Sequence, residues 1–123
     1  MKKSLIFLFL ITAMTVLSAC GGGSSLANSV VETNEAEPEQ LVITASDWSF
    51  DQETYTIQKD QPVQFILENE QGYHGIGIKK LGIEFEQKTQ PQYKITEAGE
   101  YEITCSVMCG SGHRDMKATL IVQ

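Results

Sequence analysis

Apolar and polar residues alternate with a period of two through the later part of the chain. Leu41, Ile43 and Ala45 alternate with Val42 and Thr44, and Val63, Phe65 and Leu67 alternate with Gln64, Ile66 and Glu68. Tyr101, Ile103 and Cys105 alternate with Glu100, Glu102 and Thr104, and Ala118, Leu120 and Val122 repeat the pattern near the C-terminus. Successive side chains of a strand point to opposite faces, so this alternation predicts half-buried strands. Shorter runs over residues 54–57, 74–78, 83–85 and 92–95 predict more of them. Lys59-Asp60-Gln61-Pro62, Glu70-Gln71-Gly72, Gln90-Pro91 and Glu97-Ala98-Gly99 are turn signals between the runs. No stretch of helical length carries an apolar stripe at helical spacing. Seven or eight short strands with frequent turns predict an all-β domain over residues 41–123, a β-sandwich with Greek-key connections. A core of that size is adequate but modest.

The N-terminal part changes the picture of where this domain works. Lys2 and Lys3 precede an apolar run of about thirteen residues, short of the about 20 that a membrane-spanning helix needs. The run ends in Leu17-Ser18-Ala19-Cys20, which resembles a bacterial lipobox. Residues 1–19 therefore read as a lipoprotein signal peptide, with Cys20 as the lipidated N-terminus left after cleavage. An ordinary secretory signal with an incidental Cys20 is the alternative. Residues 20–40 are rich in Gly, Ser, Asn and Glu and read as a flexible tether. The expected location is extracytoplasmic, anchored to the bacterial cell membrane through lipid. The formal charge of -7 and the lack of a basic patch argue against a nucleic-acid partner. An acidic surface serves solubility, and it also suits docking to a basic protein.

With Cys20 assigned to lipid, two of the three cysteines remain, and both lie in residues 105–116. There Cys105, Cys109, His113 and Met116 stand at spacings Cys-x3-Cys-x3-His-x2-Met, with Gly110, Ser111 and Gly112 marking a tight loop. Soft sulfur donors mixed with imidazole suit copper, whereas magnesium and calcium prefer oxygen, which only Asp115 offers here. Cys105 continues the inward face of its strand, and a further strand follows Met116 at once. The loop thus joins two adjacent strands at one end of the sandwich. His74, at the start of a predicted strand beside Gly75, is the other histidine of the chain and can reach the same end. A close Cys pair in an exported protein could instead form a disulfide.

The segment from Cys105 through Cys109, Gly110 and His113 to Met116, with His74 upstream, resembles the CuA-binding motif of cytochrome c oxidase subunit II and nitrous oxide reductase. Ala98-Gly99-Glu100-Tyr101 and the apolar C-terminal strand are similar too, so the likeness covers about residues 41–123. The resemblance implies a cupredoxin fold and two copper ions bridged by Cys105 and Cys109. It further implies His74 and His113 as one ligand to each ion, Met116 as a weak axial ligand, and the main-chain carbonyl of Val107 as the other. The function it implies is single-electron transfer rather than catalysis, with a cytochrome c or a respiratory oxidase component as partner.

The sequence departs from that family in places. Val107 replaces the usual Glu, which keeps the carbonyl but removes a side chain that faces the oxidase core. A lipoprotein signal stands where subunit II has membrane helices. The family's aromatic run is reduced to Trp48-Ser49-Phe50. Trp48 is either a residue through which electrons enter or a core-packing residue. Met108 reads as packing over the centre, Arg114 and Asp115 as exposed, and Gly72, Gly75, Gly77 and Gly82 as turn or close-packing positions rather than a phosphate loop. A copper carrier without a relay role is the alternative function. A mononuclear cupredoxin is disfavoured by the second Cys, and a thiol–disulfide protein by the absence of helices.

Overall fold

The computed structural model describes residues 29–123. The signal peptide, Cys20 and most of the tether lie outside the described residues. Ten strands form two five-stranded sheets, and no α-helix occurs among the described residues. The chain runs through β1 (Val30–Glu32), β2 (Glu39–Ser46), β3 (Ser49–Phe50), β4 (Thr54–Ile57) and β5 (Pro62–Asn69). It continues through β6 (Gly75–Ile78), β7 (Ile83–Glu86), β8 (Gln92–Ile95), β9 (Gly99–Cys105) and β10 (Lys117–Val122). One sheet has the order β1-β8-β5-β2-β3 and the other β4-β10-β9-β6-β7. Pairing is antiparallel except for β2 beside β5 and β4 beside β10. Single 3-10 turns occupy Lys79–Leu81 and His113–Asp115.

The alternation read from the sequence is the alternation of burial. Ile43, Ala45, Val63, Phe65, Leu67, Tyr101, Ile103, Cys105, Ala118, Leu120 and Val122 all face inward and are buried. Phe65 of one sheet meets Phe85 of the other edge-to-face with ring centroids 6.1 Å apart, so the two inner faces interlock. Removing each such large apolar side chain from water contributes about 1.5–3 kcal/mol, which makes this shared core the main stabilising term.

Two elements escaped the pattern. Strand pairing begins at Val30, inside the segment that reads as tether. β1 adds to the edge of the sheet along β8, with Val30 opposite Ile95 and Glu32 opposite Tyr93. The Gln92 side chain extends the attachment, accepting from Thr33 Oγ1 at 2.7 Å and from the Glu35 amide at 2.6 Å. Such an edge is held by main-chain and amide hydrogen bonds, which leave no hydrophobic period behind them. β3 is two residues long and too short to show one.

The register sets one pole of the sandwich apart. β9 lies between β10 and β6, with Cys105 opposite Ile76 and Thr104 opposite both Gly77 and Lys117. The ends of β5 and β9, the starts of β6 and β10, and the β2–β3 turn all meet there.

The two sheets are also tied by a polar link. Asp51 Oδ1 accepts from the Thr44 amide at 2.8 Å in one sheet and from the buried Tyr55 hydroxyl at 2.6 Å in the other. Burial alone would raise the Asp51 carboxyl, but Tyr55, the Thr44 amide and Gln52 hold it below its ordinary 3.8. Burial, then Asp51, pushes the Tyr55 hydroxyl well above its ordinary range. A carboxyl lowered in the folded state adds stability above its unfolded value and loses it as pH falls through the folded one. Tyr55→Phe is therefore expected to cost about 1–2 kcal/mol at neutral pH, a charged hydrogen bond discounted for the exposure of Asp51. Urea titrations at several pH values should show that cost shrinking below the ordinary value of 3.8. A cost that stays constant into acid would exclude the charged link.

Candidate metal centre

Cys105 is the last residue of β9 and points into the core, 5 % exposed. The Ser106 amide donates to the Gly75 carbonyl at 3.2 Å, so the β6–β9 pairing runs one step beyond the strand. This close approach needs glycine on β6. A Cβ at Gly75 would stand 2.3 Å from Ser106 Oγ and 3.3 Å from the Phe85 carbonyl oxygen. The preceding residue, His74, is thereby carried against the thiols and is fully buried.

His74 is oriented through its far nitrogen. Nε2 lies 2.7 Å from the Gln71 carbonyl oxygen, and a carbonyl only accepts, so Nε2 carries the proton. The unprotonated Nδ1 is left facing Cys105 Sγ at 3.9 Å. A main-chain acceptor behind a ligating imidazole is the usual way a metal site fixes its tautomer. Gly72, with φ +81°, completes the turn; a Cβ there would lie 2.8 Å from His74 Nε2.

The rest of the loop continues the array. Cys105 Sγ lies 3.1 Å from the Val107 carbonyl oxygen and 3.4 Å from Cys109 Sγ, and both cysteines are free thiols. Cys109 Sγ lies 3.5 Å from His113 Nδ1. The 3-10 turn that bears His113 closes through its amide to the Gly110 carbonyl at 3.2 Å and the Asp115 amide to the Gly112 carbonyl at 3.0 Å. Met116 follows, 1 % exposed, in the same buried apolar cluster as Cys105. The donor atoms of His74, Cys105 and Cys109 all lie within 4.8 Å of one another. His113 adjoins this group at Cys109. The two sulfurs therefore lie side by side, with His74 against the Cys105 side and His113 against Cys109.

Of the candidate residues, His74, Cys105, Cys109, His113 and the Val107 carbonyl are brought together, and Met116 enters the adjoining core. Trp48 is 44 % exposed, so it does not pack the core. It lies over the loop instead, its Nε1–H donating to the Cys109 carbonyl at 3.4 Å. Met108 does not pack over the centre: at 84 % exposure its side chain stands in solvent, and the main-chain carbonyl of the preceding Val107 faces Cys105 Sγ instead. Arg114 and Asp115 are exposed as expected. The Gln71 carbonyl was invisible to residue-type reasoning, since it acts through main chain. The glycines at 72 and 75 were the available signal for it.

The donor set fits a soft or borderline metal: two thiols, two imidazoles, a thioether and one carbonyl. Without a cation the Cys109 thiol resists ionising. Burial, then the neighbouring Cys105, pushes the Cys109 thiol from its ordinary 9.0 up to about 11. Metal uptake at Cys109 must therefore expel a proton that the thiol otherwise keeps. Alkylation of Cys109 in the metal-free protein is expected to climb about tenfold per pH unit from pH 7 well past the ordinary thiol range near 8.5. Peptide mapping after brief iodoacetamide treatment checks this. A rate that levels off at the ordinary thiol value would show that Cys109 is not held in this environment.

No family model matches the chain. Cytochrome c oxidase subunit 2 of Thermus thermophilus is 25% identical over 103 residues, covering 79% of this chain and 74% of that protein. Among solved structures, the periplasmic domain of subunit II of cytochrome oxidase (CoxB) of Bradyrhizobium japonicum superposes with a TM-score of 0.61 at 13% identity, covering 73% of this chain and 86% of that one. A chain of a heme-copper terminal oxidase dimer gives a TM-score of 0.56 at 20% identity, covering 76% of this chain and 78% of that one. Auracyanin A, a blue copper protein of Chloroflexus aurantiacus, gives 0.51 at 14% identity over 71% of this chain and all of its own. The described domain has a cupredoxin-like β-sandwich fold, and in fold and in sequence it is similar to the domain found in cytochrome c oxidase subunit II.

Proposed function

We propose that the domain is a copper-binding electron-transfer module with a binuclear CuA-type centre, held at the outer face of a bacterial cell membrane by lipid on Cys20. The observation that carries this reading is the cluster of His74, Cys105, Cys109 and His113, with contacts of 3.9, 3.4 and 3.5 Å between successive members and His74 within 4.8 Å of both sulfurs. Two adjacent thiols, with an imidazole beside each, exceed the one Cys and two His of a mononuclear blue site, and this supports a pair of ions over one.

Copper at this site would be held by the thiolates of Cys105 and Cys109 and the Nδ1 atoms of His74 and His113. The Met116 thioether and the Val107 carbonyl would serve as weaker donors. Bound copper supplies a one-electron couple whose charge change is spread over two ions. The protein's part is to keep the donors still. Cys105 is fixed by β9, His74 by the Gln71 carbonyl and the start of β6, and Met116 by the start of β10. Donors that do not move between oxidation states lower the reorganisation that electron transfer requires. Burial of His74 and Cys105 keeps water from competing for the same positions.

The partner implied by the subunit II likeness is a cytochrome c or a respiratory oxidase component. A carrier releases its ion by ligand exchange at accessible donors, and buried His74 and Cys105 do not favour that role.

The full chain, purified in detergent and reduced before loading, is expected to bind two copper ions and turn purple. Its paramagnetic resonance spectrum should show one unpaired electron shared by two copper nuclei. One copper and a blue colour would overturn the binuclear centre. His74→Ala should abolish the shared-electron spectrum while leaving the strand signal in circular dichroism intact; an unchanged spectrum would remove His74 from the centre. Cys20→Ser should move the protein from the membrane to the soluble extracytoplasmic fraction, and continued membrane retention would refute the lipid anchor. Faster copper transfer to an apo-acceptor than electron exchange with a cytochrome c would favour the carrier.

A further inference from the structure

The turn between β2 and β3 has two residues, Asp47 and Trp48, between the paired Ser46 and Ser49. Trp48 adopts φ 61°, one of two non-glycine residues with positive φ among the described residues. Positive φ at the second position of a tight turn favours Gly or Asn, and for a bulky side chain it is an outlier. A left-handed backbone with a large side chain persists where the surroundings over-determine it, and such positions cluster at functional sites.

What this backbone achieves is the placement of the indole on the ligand loop. Trp48 Nε1–H donates to the Cys109 carbonyl, and the ring lies against two glycines of the loop. A Cβ at Gly110 would stand 3.1 Å from Trp48 Nε1, and one at Gly112 only 2.1 Å from Trp48 Cγ. The amides whose hydrogen bonds shape the His113 turn donate to the carbonyls of these same glycines. The opposite limb of the loop has another support, the Ser106 amide on Gly75. The two limbs are therefore held by independent devices.

We infer that Trp48 is a positioning residue: it clamps residues 109–113 in their ligand-ready shape before metal binds. It thereby slows the loss of a metal held by Cys109 and His113. The second clause rests on the proposed copper centre; the first does not. The pairing is sterically reciprocal, with tryptophan where the turn favours glycine and glycine where the indole needs space.

The test reads amide hydrogen exchange in the metal-free, reduced full chain. In Trp48→Gly the His113 and Asp115 amides should exchange at least about tenfold faster, while Ser106 stays within about twofold of wild type. Glycine relieves the turn, so the urea midpoint should not fall with the loss of protection. Gly112→Ala pushes the indole away from the other side and should give the same exchange pattern, with the double variant no worse than either single one. Trp48→Phe, which keeps a ring but loses the N–H, should lie between. In the copper-loaded chain a Cu(I) chelator should remove metal at least about tenfold faster from Trp48→Gly than from wild type. Unchanged exchange at His113 and Asp115, or a parallel rise at Ser106, would overturn the clamp. Copper release at the wild-type rate would overturn its effect on metal retention. A chain that takes up no copper, yet loses His113 protection in Trp48→Gly, would refute the copper centre and leave the clamp standing.

Discussion

The close approach of β6 to β9 at Gly75 is the constraint on which the centre depends. β9 delivers Cys105 and β6 begins directly after His74, so the separation of these two strands sets the distance between thiol and imidazole. Any side chain at Gly75 would meet Ser106 Oγ just past β9 and the Phe85 carbonyl on β7. Rotation of the Ser106 hydroxyl would relieve the closest contact, and the Phe85 carbonyl would still press on β6 beside His74. The sheet core and the metal donors are thus one object: Ile76 and Ile78 are buried on the same strand whose first turn holds the imidazole.

Burial works in two directions at this pole. It raises the Cys109 thiol and so opposes its thiolate form. It also strengthens the interaction between thiolate and cation once protons leave, because competing water is kept out. The same argument explains why His74 needs the Gln71 carbonyl. A fully buried imidazole with a free N–H would carry an unsatisfied donor, and the hydrogen bond removes that cost while aiming Nδ1 at the sulfurs.

The sheets were legible because the alternation of residues such as Tyr101, Ile103 and Cys105 records burial directly. The loop was legible because soft donors at close spacing are rare in any other context. Main-chain pairing left no such record, so β1 and the short β3 went unseen. Residue type also misplaced one side chain and left another undecided. Met108 is apolar and sits between the cysteines, yet the loop geometry leaves it in water. Trp48 is large and aromatic, yet its left-handed backbone carries it out of the core and onto the loop. In each case a backbone conformation decided the outcome, and backbone conformation is what composition and spacing encode least.

Topology also fixes which way the centre faces. The Ser29 carbonyl accepts from the Thr96 amide at 2.8 Å, and Val30 pairs with Ile95, beside the start of β5, where Lys94 lies opposite Pro62. β5 then runs the length of the sandwich to Asn69, whose side chain reaches the His74 carbonyl at 3.4 Å. Eight strand residues at about 3.3 Å each separate the two ends. The polypeptide therefore joins the domain at the pole opposite the sulfurs. With lipid on Cys20, the tether would draw that opposite pole toward the bilayer and turn His113, Trp48 and exposed Met108 outward.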